Sequence, residues 1–210
     1  MSMHDYGFPV SPEARIDLPQ PEDMTAEQRA VHDAVVSGPR GRMVGPLRAV
    51  IHSPELADKW QQLGALIRYR TVLPEALKEL AIVVCGRRWN SDVEWAVHSR
   101  IAKAAGISAT VLDQIENAKA VQFSSQPEHE IYEFTRFLLQ HGQVPDAIYA
   151  AVRQRWGDRG VVELTGIVGY YTMVAMMVNT HLIPVPEGEG SGIRPLGAAL
   201  TELPASEVRA

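Results

Sequence analysis

Residues Glu79 to Gly106 read ELAIVVCGRRWNSDVEWAVHSRIAKAAG. They form two adjoining helical patterns. The first is apolar almost throughout. The second is preceded by Ser91, which with Glu94 matches a capping box, and Gly106 is placed to end it. Three ionisable residues interrupt this apolar run: Glu79, Glu94 and His98. Glu94 and His98 are four residues apart, so on a helix they share one face. Trp95 lies beside Glu94, and Ala102 lies one turn beyond His98. Carboxylates and a histidine directed into an apolar interior are costly unless paired. Such a cluster is a candidate proton-transfer site.

Working outward, every flanking segment carries helical punctuation. Thr25 and Gln28 form a capping box for a helix to about Val36. GPRGRMVGPL, from Gly38 to Leu47, is a Gly/Pro loop. Ser53 followed by Pro54 reads as an N-cap and first helical residue for a helix to about Tyr69, and Pro74 opens the next one, to about Arg88. Ser108 caps a shorter helix to about Ala118. Ser125 and Glu128 cap another, to about His141. Pro145 begins a helix ended by Gly157, and a long one should run from about Arg159 to Val178. No segment alternates apolar and polar residues for long, so the expected fold class is all-α.

An internal echo accompanies this pattern. Lys78-Glu79-Leu80 begins one apolar helix and Val162-Glu163-Leu164 another, which suggests two related helical units, the second lacking a counterpart of the Glu94–His98 pair. The expected organisation is an extended Pro-rich arm over 1–22, a helical domain over 23–184, and a Pro/Gly-rich tail over 185–210 that wraps the surface or a neighbour.

Composition narrows the function classes. The chain is 46% hydrophobic and 21% charged, as expected for a globular protein with a sizeable core. A net charge of -5 without a basic block argues against nucleic acid as a partner. The N-terminus has no apolar h-region, and the apolar run Gly166–Val178 is too short to span a bilayer. A cytoplasmic setting with no membrane partner is therefore expected. Cys85 is the only cysteine, so no internal disulfide forms.

Several separate motifs, in order, resemble the carboxymuconolactone decarboxylase family. They are the GPRG…GPL loop, HSPELA, EWAVHSRIAKAAGIS and VVELTGIVGYYTMVAMMVN, and the resemblance covers roughly residues 20–185. It implies an AhpD-like helical bundle and homo-oligomers built from trimeric rings, a trimer or a hexamer. The family also contains the thiol enzyme alkylhydroperoxidase AhpD. That branch has a Glu, then CxxC, then a His four residues after the second Cys. On this chain the Glu falls on Glu79, the two cysteine positions on Ser91 and Glu94, and the His on His98. A peroxidatic cycle needs an attacking thiolate and a resolving thiol, and neither position holds one. Cys85, among Ile82, Val83 and Val84, reads as a buried structural residue.

The resemblance then implies a cofactor-independent lyase, decarboxylase or isomerase acting on a small carboxylated or lactone-type metabolite. His98 is the expected proton donor or acceptor. Glu79 sets its tautomer. Glu94 is either a second acid–base group or merely the residue closing the Ser91 cap. A carboxylated substrate calls for arginine, which binds carboxylates in bidentate fashion. Arg40, Arg68 and Arg87 are the candidates, with Arg70 and Arg88 beside them, although arginines at helix ends also complement the helix dipole. Trp89 and Trp95 can wall a pocket or pack a core. Tyr170 and Tyr171 sit in an apolar helix where a buried hydroxyl needs a partner. Of these, Arg40, Arg68, Arg87, Trp89 and Tyr170 are taken as substrate-binding. The remaining histidines (His4, His32, His52, His129, His141 and His181) are scattered without ligand spacing, so no metal and no cofactor are expected. The competing expectation is a non-catalytic, ligand-binding oligomer on the same scaffold.

Overall fold

The computed structural model describes residues 13–190, 192–196 and 200–208. Pro9 and Pro12 of the expected arm lie outside these; Pro21–Asp23 forms one 3₁₀ turn. The helices are α1 (Ala26–Ser37), α2 (Leu47–Val50), α3 (Pro54–Tyr69), α4 (Glu75–Trp89), α5 (Asp92–Ala104), α6 (Ala109–Glu116), α7 (Gln126–His141) and α8 (Asp146–His181). The all-α expectation holds, with one small addition. Gln122–Phe123 (β1) and Glu207–Val208 (β2) pair in parallel. Two-residue strands carry no readable alternation, which is why periodicity missed them.

The bundle is organised around α4. Leu80, Ala81, Ile82, Val83, Val84 and Cys85 are all at most 1% exposed, so α4 is buried on every side. A helix without a polar stripe must be surrounded, and α5, α7 and α8 all pack on it. Each fully buried Leu, Ile or Val here contributes about 1.5–3 kcal/mol relative to exposure. Asn90 then adopts a left-handed conformation (φ 51°) that ends α4 and turns the chain into α5. Gly86 lets the two helices meet closely: a β-carbon there would lie 3.4 Å from Glu94 Cβ.

Some caps work as expected and others do not. The Thr25–Gln28 capping box is fully formed, and Ser108 accepts from the Val111 amide. Ser53, Ser125 and Ser91 cap their helices by position alone, with no side-chain hydrogen bond. The Ser91–Glu94 box is thus corrected: Glu94 turns inward instead of back to Ser91. Gly157, with φ 68°, interrupts α8 between the two helices expected there. Because the chain continues helically on both sides, the expected 20-residue segment belongs to a 36-residue element. By length and composition alone that helix could cross a membrane; half of its most apolar window is buried in the bundle, against α4 and α7.

The tail wraps this chain's own body. The Thr201 amide donates to the Arg88 carbonyl (3.0 Å), and Arg88 Nη1 donates to the Thr201 carbonyl (2.9 Å). Tyr132 Oη donates to the Pro204 carbonyl (2.8 Å), and the Ser206 amide donates to Glu133 Oε1 (2.7 Å). In the second helical unit, Glu163 accepts from the Val72 amide (2.6 Å) and from Arg159 (2.7 Å), and so joins no acid–base cluster.

Candidate functional site

The acid–base residues come together where α4, α5 and α8 meet. Glu79 on α4 accepts a 2.7 Å hydrogen bond from His98 Nδ1 on α5, and both side chains are under 10% exposed. Since a carboxylate only accepts, Nδ1 carries the proton and Nε2 is left as the reactive nitrogen. Among the described residues nothing bonds to Nε2. Tyr171 of α8 holds the imidazole from the side, edge-on, with ring centroids 5.0 Å apart.

His98 and Glu94, one turn apart, line one narrow pocket with Arg40, Arg68, Tyr170 and Tyr171; Val44, Gly45, Pro46, Val93, Val97, Val174 and Pro186 complete its wall. Its cavity volume is ≈ 60 Å³, room for a few waters. Glu94 is 1% exposed, and neither carboxyl oxygen has a hydrogen-bond partner among the described residues. Burial pushes its carboxyl group well above the ordinary range; the Ser91 hydroxyl nearby opposes this only in part and makes no hydrogen bond to it. The pocket therefore sets an imidazole with a free nitrogen beside a carboxyl group that favours its neutral form.

The cationic wall is built by a close approach. Arg40 Nη2 donates to Tyr170 Oη (3.4 Å), which donates in turn to the Trp60 carbonyl (3.4 Å). Both heads lie over Gly64 of α3: a β-carbon there would be 2.1 Å from Arg40 Nη2 and 2.2 Å from Tyr170 Oη. The sequence reading missed Gly64, although an isolated glycine inside the amphipathic pattern QQLGALIRY is a signal of such an approach. Outside the mouth, Glu189 ties the loop after α8 down: it accepts from Arg42 (2.8 Å) and from Arg100 (2.7 and 3.1 Å). Hydrogen bonds from Arg100 and then Arg42 hold its carboxyl group below the ordinary value.

Two expected binding residues lie elsewhere. Arg87 is fully buried and structural: it donates to the carbonyls of Glu116 (2.8 Å) and Arg194 (3.1 Å), to Thr201 Oγ1 (3.1 Å), and to Asn90 Oδ1. An arginine at a helix end reads the same in sequence whether it meets substrate or the chain's own tail. Trp89 is half-buried; its carbonyl accepts from Asn179 (2.8 Å), and it is not part of the pocket wall. Cys85 is fully buried, and burial raises its thiol pKa far above the ordinary value. Among the described residues no three His, Cys, Asp or Glu side chains gather as a metal site.

No protein-family model matches the chain, and no curated protein matches it significantly. Solved structures do. An uncharacterised peroxidase-related protein from Ralstonia eutropha JMP134, described as an alkylhydroperoxidase AhpD core, superposes with a TM-score of 0.68 at 15% identity, over 85% of this chain and 95% of that one. The fold is AhpD-like. A second uncharacterised peroxidase-related protein, from Silicibacter sp. TM1040, gives 0.66 at 11% identity over 85% and 94%. At such identity the likeness concerns the scaffold, and the chemistry rests on this chain's own residues.

Proposed function

We propose that this AhpD-like chain is a cofactor-independent acid–base enzyme of the carboxymuconolactone decarboxylase type, acting on a small carboxylated or lactone-type metabolite. The observation that carries the reading is the His98–Glu79 pair, buried and hydrogen-bonded on one side and open to an arginine-lined pocket on the other. In a decarboxylation, the bond between the leaving carboxylate and the ring carbon breaks. Its electron pair enters the adjoining unsaturated system as a dienolate, and a proton is returned to carbon. Arg40 and Arg68 would hold the carboxylate that is retained. His98 would deliver or remove the proton, with Glu79 stabilising the imidazolium. Glu94 would serve as a second acid. Substitution of both thiol positions by Ser91 and Glu94 disfavours peroxidase chemistry.

We place this enzyme in a cytoplasmic homo-oligomer, a trimer or hexamer. The second reading is a ligand-binding oligomer without turnover, and the small pocket, ≈ 60 Å³, limits either reading to a compact ligand or group. The two part on one experiment. A panel of carboxylated γ-lactones, including carboxymuconolactone, is assayed for CO₂ release and loss of ultraviolet absorbance. His98→Gln should lower turnover about 10²–10⁴-fold while the protein stays folded, the usual cost of losing a general acid or base. Undiminished turnover in folded His98→Gln, or no turnover by wild type on any of the panel, would end the catalytic reading.

A further inference from the structure

The pocket wall carries several unmet polar groups. Both Glu94 oxygens are buried without a partner among the described residues, as is Arg40 Nε. His98 Nε2 has no bond from any described residue. The Arg68 guanidinium makes no hydrogen bond to a described residue and lies 5.5 Å from the ring of its neighbour Tyr69. A buried polar group left without a partner costs about 1–3 kcal/mol, so several around one cavity mark a place where a ligand supplies the missing contacts. The groups also differ in kind. Arg40 and Arg68 only donate and carry positive charge. Glu94 is different: beside an anion, an ionised carboxylate would repel, whereas a protonated one donates.

We propose that this pocket takes up a compact carboxylate, or an oxyanion of like shape, together with a proton carried by Glu94. Arg40 and Arg68 meet the anion's charge, and the Glu94 carboxyl group donates its O–H to an anion oxygen. This rests on the acid–base reading of the same pocket and specifies its substrate as one bound in anionic form by a neutral acid. Burial favours that state, while the nearby Ser91 hydroxyl and the positive charge of the arginines oppose it. On its own helix α5 it faces His98 and Ser91. Across α4 lies Cys85, whose thiol stays protonated, and Glu79 is engaged by His98. From α8 come Tyr170 and Tyr171, whose burial raises their hydroxyl pKa values. Arg68 of α3 and Arg40 of the Gly38–Leu47 loop are the pocket's cations, and neither bonds to Glu94. Burial accordingly keeps the proton on Glu94 above the ordinary range for a glutamate.

The test uses the intact protein and difluoroacetate, a small carboxylate that stays ionised across the range used, followed by fluorine NMR. Wild-type affinity should be level at low pH and fall about tenfold per pH unit above the Glu94 titration, because each bound anion then needs a proton taken up. In Glu94→Gln the amide still donates, so affinity at low pH should stay within about threefold of wild type and the Glu94 step should vanish. His98→Gln should retain that step, which separates the two titrating groups. Wild-type affinity independent of pH, or a step that persists in Glu94→Gln, would overturn the proposal. No measurable binding of difluoroacetate would overturn it equally. Infrared spectroscopy of the wild type gives an arm that needs no variant: a protonated-carboxyl C=O band that persists at pH above the ordinary glutamate range is expected, and its absence there would refute the neutral acid. None of these readouts involves turnover. Loss of the proton coupling therefore leaves the catalytic reading standing, and an inactive enzyme leaves the coupling standing.

Discussion

Replacing Gly64 by alanine should cost the protein its pocket before its fold. The added β-carbon would lie 2.1 Å from Arg40 Nη2, 2.2 Å from Tyr170 Oη and 2.7 Å from Tyr170 Cζ. Restoring an ordinary contact of about 3.5 Å requires the tyrosine hydroxyl to retreat by roughly 1.3 Å. Arg40 can swing away. Tyr170 has only two side-chain torsions and is wedged between Trp60 and Tyr171, at centroid distances of 5.7 and 5.4 Å. Overpacking of this kind costs about 1–3 kcal/mol. Alanine in a helix interior regains about 1 kcal/mol over glycine. The net loss is therefore about 0–2 kcal/mol, equivalent to a melting temperature lower by at most about 8 °C for a chain of this size. The functional loss should be larger, because Arg40 leaves the wall where an anion would sit. Charge-assisted contacts are worth about 1.5–3 kcal/mol, or roughly 10–150-fold in affinity. Calorimetric melting and difluoroacetate titration on the same samples read both numbers. Gly166→Ala, where an added β-carbon meets nothing within 4 Å, serves as the control for helix propensity. If Gly64→Ala melted higher than wild type, like that control, and bound difluoroacetate unchanged, the close approach would have no functional weight.

Three further outcomes are expected. Burial holds a proton on folded Glu94 that the unfolded chain releases, so the contribution of Glu94 to stability should be greatest below the ordinary glutamate value and fall as pH rises from there, by up to about 1.4 kcal/mol per unit until the folded-state value is passed. Glu94→Gln should flatten that slope and gain on wild type as pH rises above the ordinary glutamate value in urea titrations; parallel curves would contradict a buried neutral acid. Cys85→Ala should cost about 1 kcal/mol of packing and leave activity intact, whereas rapid thiol-dependent peroxide turnover abolished by that change would restore the peroxidase reading. Leu56, Leu63, Leu66, Tyr69 and Val72, on and just beyond α3, are each more than 40% exposed, apolar side chains that a partner subunit would cover; light scattering at micromolar concentration should give a trimer or a multiple of it, and a monomeric mass would refute the assembly.

Local signals wrote most of this fold into the sequence. Helix ends were legible because Pro54, Gly106, Gly157 and the Thr25–Gln28 box act on backbone torsions and hydrogen bonds within a few residues of themselves. The all-apolar α4 announced its own burial, and the i,i+4 spacing placed Glu94 and His98 on one face. What a residue meets across the bundle was not legible. Arg87 and Arg40 look alike in sequence, yet one is spent on the tail's Thr201 and the other on the pocket. Ser91 and Glu94 match a capping box, yet the close packing of α5 on Gly86 accompanies a carboxyl group turned inward, without a partner. Residue type and short spacing determine local geometry and the stock of chemical groups. Pairing across α3, α4, α5 and α8 depends on contacts between residues up to 130 apart, and those exist only once the helices have packed.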